Sequence, residues 1–192
     1  VGIVKKRAES SSDSLFKLLN AMSSAGFVAQ NAVYGLEGMS SGFRGFDQAM
    51  RAANTMAGKS GKDFEALKGS VDSLSRSIPL ARTELAEGLY QVVSNGVPEE
   101  NWISFLEQSA KASVGGIAEL GQVVNVTSTL IKNYGLEWDA AAGIQDKIQM
   151  TAKNGVTSFS QLAQALPKVA ANANTLGVSI DELMAAFATL TG

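Results

Sequence analysis

The residues of this 192-residue chain that could do chemistry are few, because it contains no histidine and no cysteine. Without an imidazole or a thiol, the chain cannot build a Ser-His-Asp or Cys-His triad, a zinc finger or an iron–sulfur cluster. Disulfides are excluded as well. Any catalysis would depend on carboxylates, lysines and hydroxyls alone. We therefore assign no catalytic residue, no cofactor and no metal site.

The carboxylates cluster at two places, Glu99 with Glu100 and the trio Glu137, Asp139 and Asp146. A metal site or an acid–base pair needs carboxylates that converge in a pocket. Most of these residues fall instead in the predicted first turn of a helix, where a negative charge complements the helix dipole. We interpret them as helix-capping residues.

The tripeptide Gly58-Lys59-Ser60 has the residues that end a phosphate-binding loop. That loop also needs a glycine five residues before its Gly-Lys pair, and a preceding strand. Position 53 is an alanine in this chain, and the preceding segment is predicted to be helical. The tripeptide is therefore interpreted as a polar turn between helices.

Charge and hydropathy exclude two further classes of partner. The chain has 16 basic and 18 acidic residues, so its net charge of −2 offers no basis for specific nucleic-acid binding. No stretch approaches the roughly 20 uncharged apolar residues of a membrane-spanning helix. The chain begins at Val1 and stops at Gly192 directly after an apolar helix, so we expect a piece of a longer protein.

A heptad pattern runs through residues 15–57, and every a and d position in it is apolar. This pattern is typical of a helix that pairs with another helix. We expect one long helix or two in tandem, with a break at Ser40–Gly42, within an extended segment at residues 1–58. The predicted self-association seam is formed by Leu15, Leu18, Met22, Leu36, Met39, Phe43, Phe46 and Met50.

Residues 59–192 contain an internal repeat. Glu119–Val123 aligns with Gln161–Ala165 at an offset of 42 residues, and a weaker copy lies upstream. Helical-hairpin arrays repeat with periods in this range. We predict an all-α fold with hairpin copies near residues 84–113, 119–154 and 161–192.

The ends of the predicted helices are marked by glycine followed by an apolar residue. Glycine favours the left-handed conformation that ends a helix, and the apolar residue folds back onto the last turn. Gly115–Gly116 is predicted to break the helix that begins near Pro98. The other predicted helix-stop glycines are Gly96, Gly135, Gly155 and Gly177.

Several of these segments resemble the conserved helical domain of phage tail tape measure proteins, the minor tail protein family of long-tailed phages and prophages. The similarity is clearest in residues 174–192 and 155–166, and it extends to residues 83–90 and 94–96. It covers roughly residues 43–192, and the stop glycines and helix starts occur in the same order.

The resemblance implies a structural protein of the tail lumen, made in the cytoplasm of a bacterial host. Such proteins set the length to which the tail tube polymerises and leave the tube before or with the DNA. The implied partners are further copies of the chain, the tail-tube protein and tail assembly chaperones, with transient membrane contact during ejection. No catalytic residue belongs to this domain of the family.

Two alternatives remain open from the residues alone. A helical-repeat adaptor or scaffold would hold a partner helix in an exposed apolar groove of residues 64–192. A membrane-active protein would insert its Gly/Ala-rich N-terminal helix, and residues 12–57 alone would then cause leakage of liposomes.

Overall fold

Helices account for most of the residues that the structure describes, which are residues 44–191 of a computed structural model. No strand occurs among these residues, and the all-α prediction is confirmed. Short 3₁₀ turns at Glu99–Asn101 and Trp138–Ala140 lead into two of the helices. The helices are α1 at residues 44–57, α2 at Gly61–Ser77, α3 at Arg82–Ser94, α4 at Trp102–Gly116, α5 at Leu120–Tyr134, α6 at Ala141–Asn154, α7 at Phe159–Thr175 and α8 at Ile180–Thr191.

From α3 onward the helices form hairpins that stack in two layers. Helix α5 packs between α3 and α7 in one layer, and α6 packs between α4 and α8 in the other. Each hairpin therefore contacts the hairpins next to it in the chain, as in helical repeat proteins. The stacking agrees with the repeat that the 42-residue offset predicts.

Helix α1 packs in the same compact unit, which begins at Gly45. Its apolar face buries Phe46, Met50 and Ala53 in the core that the later helices share. Asp47 accepts a hydrogen bond of 2.9 Å from Lys68 Nζ, which links α1 to α2. In the described residues, the C-terminal part of the heptad pattern therefore faces the chain's own core.

The other six residues of the predicted seam, together with the predicted break at Ser40–Gly42, lie outside the described residues. Self-association through the seam stays a prediction, as does the division of the chain at residue 58. The six residues are Leu15, Leu18, Met22, Leu36, Met39 and Phe43.

Three helices end in the same hydrogen-bonded turn, built around Gly96, Gly135 and Gly177. Their φ angles are 70°, 60° and 78°. In each turn the glycine N–H donates to the carbonyl three residues earlier, and the next N–H donates to the carbonyl five residues earlier. These bonds satisfy carbonyls that a helix end leaves unpaired.

Gly155 also follows the end of a helix, but its backbone is extended, with φ −97° and ψ 173°. A Cβ at this position would collide with Thr191 Oγ1 and lie 3.3 Å from the Ala188 carbonyl oxygen. The neighbouring Val156 N–H donates a hydrogen bond of 2.6 Å to the Thr191 carbonyl. Glycine is therefore needed here for the close approach of α8.

Helix α4 ends at Gly116, so the break predicted at Gly115–Gly116 is confirmed. The left-handed residue at this end is not a glycine, however, but Ile117, with φ 49° and ψ 54°. Packing explains the glycine at position 116, because a Cβ there would lie 3.1 Å from the ring of Phe159. Gly116 makes room for the start of α7.

Candidate functional site

The five carboxylates singled out in the sequence are all exposed, and they do not come together. Glu99 and Glu100 lie in the 3₁₀ turn before α4, and Asp139 lies in the one before α6. Glu137 directly precedes that second turn, whereas Asp146 lies in the second turn of α6. Among residues 44–191, no group of three acidic side chains is arranged to hold a metal ion.

The Gly58-Lys59-Ser60 tripeptide forms the turn between α1 and α2. The side chain of Asn54 accepts from the Lys59 N–H at 2.9 Å and donates to the Lys59 carbonyl at 2.8 Å. The Lys59 ammonium pairs with Glu99 and lies 5.7 Å from the centre of the Trp102 ring. The lysine thus links this turn to the start of α4, and the interpretation as an inter-helix turn is confirmed.

Two tryptophans lie at the starts of even-numbered helices, Trp102 at the start of α4 and Trp138 just before α6. Trp102 is buried, and its Nε1 donates a hydrogen bond of 2.7 Å to the Val97 carbonyl. Trp138 meets Phe105 edge to face, with ring centres 5.7 Å apart and planes at 75°. This geometry suits the opposite charges of ring face and ring edge.

The start of α6 packs on α4, and the start of α8 packs on α6. We call each of these two contacts a joint. The first joint contains Phe105 of α4 and Trp138, just before α6. Counted from the stop glycines, Phe105 and Ile144 correspond, since each lies nine residues after its glycine, Gly96 or Gly135. Trp138 and Ile180 correspond in the same way, three residues after Gly135 and Gly177. The second joint, between α6 and the start of α8, therefore carries two isoleucines where the first carries two aromatic rings.

A cavity of about 420 Å³ lies at this second joint. Ile144 and Ile180 lie in its wall beside Tyr134, Leu136, Ala140 and Gly143, and Lys147, Ser179 and Asp181 complete it. The cavity was not predicted from the sequence. Its only signal was the exchange of Trp138 for Ile180 at aligned positions of the repeat.

Tyr134 is the least satisfied side chain of this cavity wall. Its hydroxyl is buried and has no hydrogen-bond partner in the described part of the chain. Burial alone raises the pKa of the Tyr134 hydroxyl. At the same cavity the ammonium of Lys147 pairs with the carboxylate of Asp181. The two charged side chains of the wall therefore neutralise each other.

A second polar feature lies inside the array. Gln145 of α6 is buried, and its Nε2 donates to Ser109 Oγ at 3.1 Å and to Thr127 Oγ1 at 3.3 Å. These side chains belong to three helices, so the amide connects α6 to α4 and α5. A groove of about 340 Å³ on the outside of α4 and α6 is lined partly by the same Gln145.

Several large apolar side chains are exposed at helix ends. Ile117 is 92% exposed, Val156 84%, Leu176 81% and Leu190 83%. Three of these follow the end of a helix, and Leu190 lies in the last turn of α8. They give both edges of the array apolar points of contact.

Ion pairs tie the first helices together. Hydrogen bonds, first from Lys68 and then from Arg51, hold the pKa of the Asp47 carboxyl below its usual value. Arg76 and Arg82 do the same for the pKa of Asp72, which links α2 to α3.

The start of α8 is capped by Ser179 and Glu182. Ser179 Oγ accepts a hydrogen bond of 3.2 Å from the Glu182 N–H, and the Glu182 carboxylate accepts one of 2.9 Å from the Ser179 N–H. The Ser179 N–H, and after it the Ser179 hydroxyl, donate hydrogen bonds to the Glu182 carboxylate and lower its pKa. Ser158 and Gln161 form the same reciprocal cap at the start of α7.

Between residues 44 and 191, no helix combines the length and the apolar character that a bilayer-spanning helix requires.

Comparison with known proteins identifies the class of protein. Residues 68–192 match the family described as "Phage-related minor tail protein". Over 142 residues the chain is 24% identical to a "Probable tape measure protein" of Clostridium phage phiCD119, and the match covers 72% of this chain. The chain spans about 15% of that relative's length. No solved structure matches the chain. Because the family match covers more than half of its residues, the chain belongs to the phage-related minor tail protein family.

Proposed function

We propose that this chain is a folded section of a tape measure protein, which helps to set the length of a phage tail. Its match to a relative named as a probable tape measure protein, inside the family match, carries this proposal. Since the chain spans about 15% of that relative, length would be set by a longer polypeptide that contains this section.

The stacked hairpins determine how much length this section would contribute. Helices α1 and α2 pack beside α3 and α4 and form a fourth pair next to the three hairpins of α3 to α8. Packed helices lie about 8–10 Å apart, so these four pairs in a row occupy roughly 40 Å. A single continuous helix over residues 45–191 would extend for about 220 Å. A folded array is therefore a compact element of the ruler, and most of the length would come from the rest of the polypeptide.

The role that we propose is structural and needs no reaction. The chain has no histidine or cysteine, and the five carboxylates considered above are exposed at separate places. The packing of Trp138 on Phe105 at the first joint and the buried Gln145 hold helices in register. These features support a structural role for the chain.

The same proposal places the protein in the lumen of the tail, after synthesis in the bacterial cytoplasm, and gives it three kinds of partner. These are further copies of the chain, the tail-tube protein and the tail assembly chaperones, with assembly of the tube templated on the polypeptide. A net charge of −2 suits a protein that leaves the tube with the DNA, because a basic surface would bind the phosphates.

An in-frame deletion of residues 45–191 from the phage or prophage gene that encodes the chain tests this function. We expect tails that are shorter or that fail to assemble, scored by electron microscopy of lysates. The matched control replaces the five exposed carboxylates by their amides (Glu99→Gln, Glu100→Gln, Glu137→Gln, Asp139→Asn and Asp146→Asn) and should leave the tails unchanged. Normal tails from the deletion, or defective tails from the control, would contradict the proposal.

A second candidate function is that of a helical-repeat adaptor or scaffold without a role in length. The apolar residues at the helix ends favour it, since Ile117 and Val156 are almost fully exposed. An Ile117→Ser/Val156→Ser double variant separates the two functions. An adaptor would lose its partner and the tail would fail, whereas a ruler section would still give tails of normal length.

A further inference from the structure

We propose that the cavity at the second joint binds an aromatic side chain of a partner protein. The inference depends on the geometry of this chain alone, and it stands whether or not the chain helps to set tail length. Two joints of the same repeat differ: aromatic rings pack together at the first, and a cavity lies at the second.

The first joint shows what this position of the array accommodates. There the indole of Trp138 packs on Phe105, which is almost completely buried. In the second joint the aligned residues are Ile180 and Ile144, and both are smaller than the aromatic side chains that they replace. The cavity lies beside these two isoleucines, where the first joint is filled by its rings.

The lining of the cavity suits an apolar ring. Leu136, Ala140, Ile144 and Ile180 supply apolar surface, and Gly143 leaves open space, because a Cβ built there meets no atom within 4 Å. The volume of about 420 Å³ lies at the small end of the range for ligand pockets. The single ion pair at the wall is internally neutral, so nothing in the lining selects a charged ligand.

The rim favours a protein as the source of the ring. Leu136 lines the cavity from the turn that follows α5. Leu176 is 81% exposed and does not line the cavity, but it lies on the turn that follows α7, three residues before Ser179 of the wall. Asn174 Nδ2 donates a hydrogen bond of 2.7 Å to the Asn133 carbonyl, which holds the ends of these two helices together. A pocket for one aromatic anchor with apolar residues around it is the usual form of a protein–protein hot spot.

The experiment uses N-acetyl-L-tryptophanamide as the probe, added to the ¹⁵N-labelled 192-residue chain and followed by two-dimensional NMR. We expect saturable shifts of the Gly143, Ser179 and Ile180 amides, with half-saturation on the order of 1 mM for one anchoring ring. N-acetyl-L-leucinamide, which lacks the ring, should give less than a fifth of the shift at the same concentration.

Two variants fill the cavity from different sides. Ile180→Trp restores the residue of the first joint, and Gly143→Leu places a side chain in the open space. Either should abolish the shifts. The matched control is Gly69→Leu on α2, where a new Cβ also meets open space but lies far from the cavity in the chain. Circular dichroism and thermal unfolding establish whether each variant is folded. If one of the two cavity-filling variants does not fold, the other still tests the proposal.

Three results would overturn the proposal. The first is the absence of a saturable shift at these amides up to the solubility limit of the probe. The second is binding that persists in a folded cavity-filled variant. The third is a concentration-dependent shift of the same amides without probe, which would make a second copy of the chain the occupant.

Discussion

Ile117 adopts the backbone conformation that Gly135 adopts at the end of the following helix. Both have positive φ, 49° for Ile117 and 60° for Gly135, and in both turns the next residue donates to the carbonyl five residues earlier. Left-handed backbone costs a residue with a Cβ roughly 1–2 kcal/mol. Because Ile117 is almost fully exposed, its side chain gains little burial in return.

Replacing Ile117 by glycine should therefore stabilise the protein. We expect a gain of about 1 kcal/mol, which is the relief of backbone strain less the greater entropy of glycine in the unfolded chain. In a domain of this size the melting temperature should rise by about 2–4 °C.

The reverse change supplies the control. A Cβ added at Gly135 meets no atom within 4 Å, so Gly135→Ala isolates the cost of the backbone conformation. It should lower the free energy of unfolding by about 1 kcal/mol in urea titrations. A loss of stability in Ile117→Gly would show that the isoleucine is held by contacts rather than strained.

The buried amide of Gln145 should contribute to the free energy of unfolding through its hydrogen bonds to two hydroxyls. Gln145→Leu leaves the buried hydroxyls of Ser109 and Thr127 without this donor, at a cost of about 1–3 kcal/mol. Adding Ser109→Ala and Thr127→Val removes the stranded hydroxyls, so the triple variant should recover most of the loss. Urea unfolding of the single and triple variants measures this, and equal losses would exclude a coupled polar network.

Trp102 should contribute through its ring nitrogen as well as through burial. Trp102→Phe removes the hydrogen bond to the Val97 carbonyl and weakens the contact with Lys59, for a loss of about 1–2 kcal/mol. The control, Trp138→Phe, removes an indole whose described contact is with the ring of Phe105. A larger loss in Trp138→Phe than in Trp102→Phe, measured by thermal unfolding, would contradict this assignment.

The carboxyls of Asp47 and Asp72 should make the protein sensitive to acid. Their pKa values are lower in the folded chain than in the unfolded one, so the unfolded state binds more protons below the unfolded pKa of about 3.9. The stabilisation that they give is present above that pH and is lost as the pH falls through the folded pKa values.

The test is the urea midpoint between pH 6 and pH 2.5. The midpoint should fall less steeply below pH 4 in Asp47→Asn/Asp72→Asn than in the unaltered protein. Asp139→Asn removes an exposed carboxylate that belongs to none of the described ion pairs, and it should leave the slope unchanged. Parallel curves for the double variant and the unaltered protein would show that Asp47 and Asp72 do not cause the loss of stability in acid.

The sequence predicted the helices and their order well, because each boundary has a local cause. The predicted stop glycines Gly96, Gly135 and Gly177 all lie within two residues of the helix ends that the structure shows. These signals depend on a few neighbouring residues, so a single sequence is enough to read them.

What could not be predicted depends on contacts between distant residues. Gly116 and Gly155 are glycines because Phe159 and Thr191 approach them closely, and neither approach is visible in local sequence. The heptad pattern in α1 looks the same whether Met50 faces another copy or the chain's own core. The cavity at the second joint lies where two isoleucines stand in place of two larger aromatic side chains. The spacing of apolar residues along the sequence does not record the size of their side chains.

The mean tail length of virions that carry an in-frame duplication of residues 45–191 in the parent gene tests the central claim most directly. A second copy of the folded array should lengthen the tail by about 40 Å, from four more stacked helix pairs. Electron micrographs of several hundred tails resolve that difference. A tail of unchanged length would contradict a role in setting length, and an increase near 220 Å, the span of a continuous helix, would contradict a folded array.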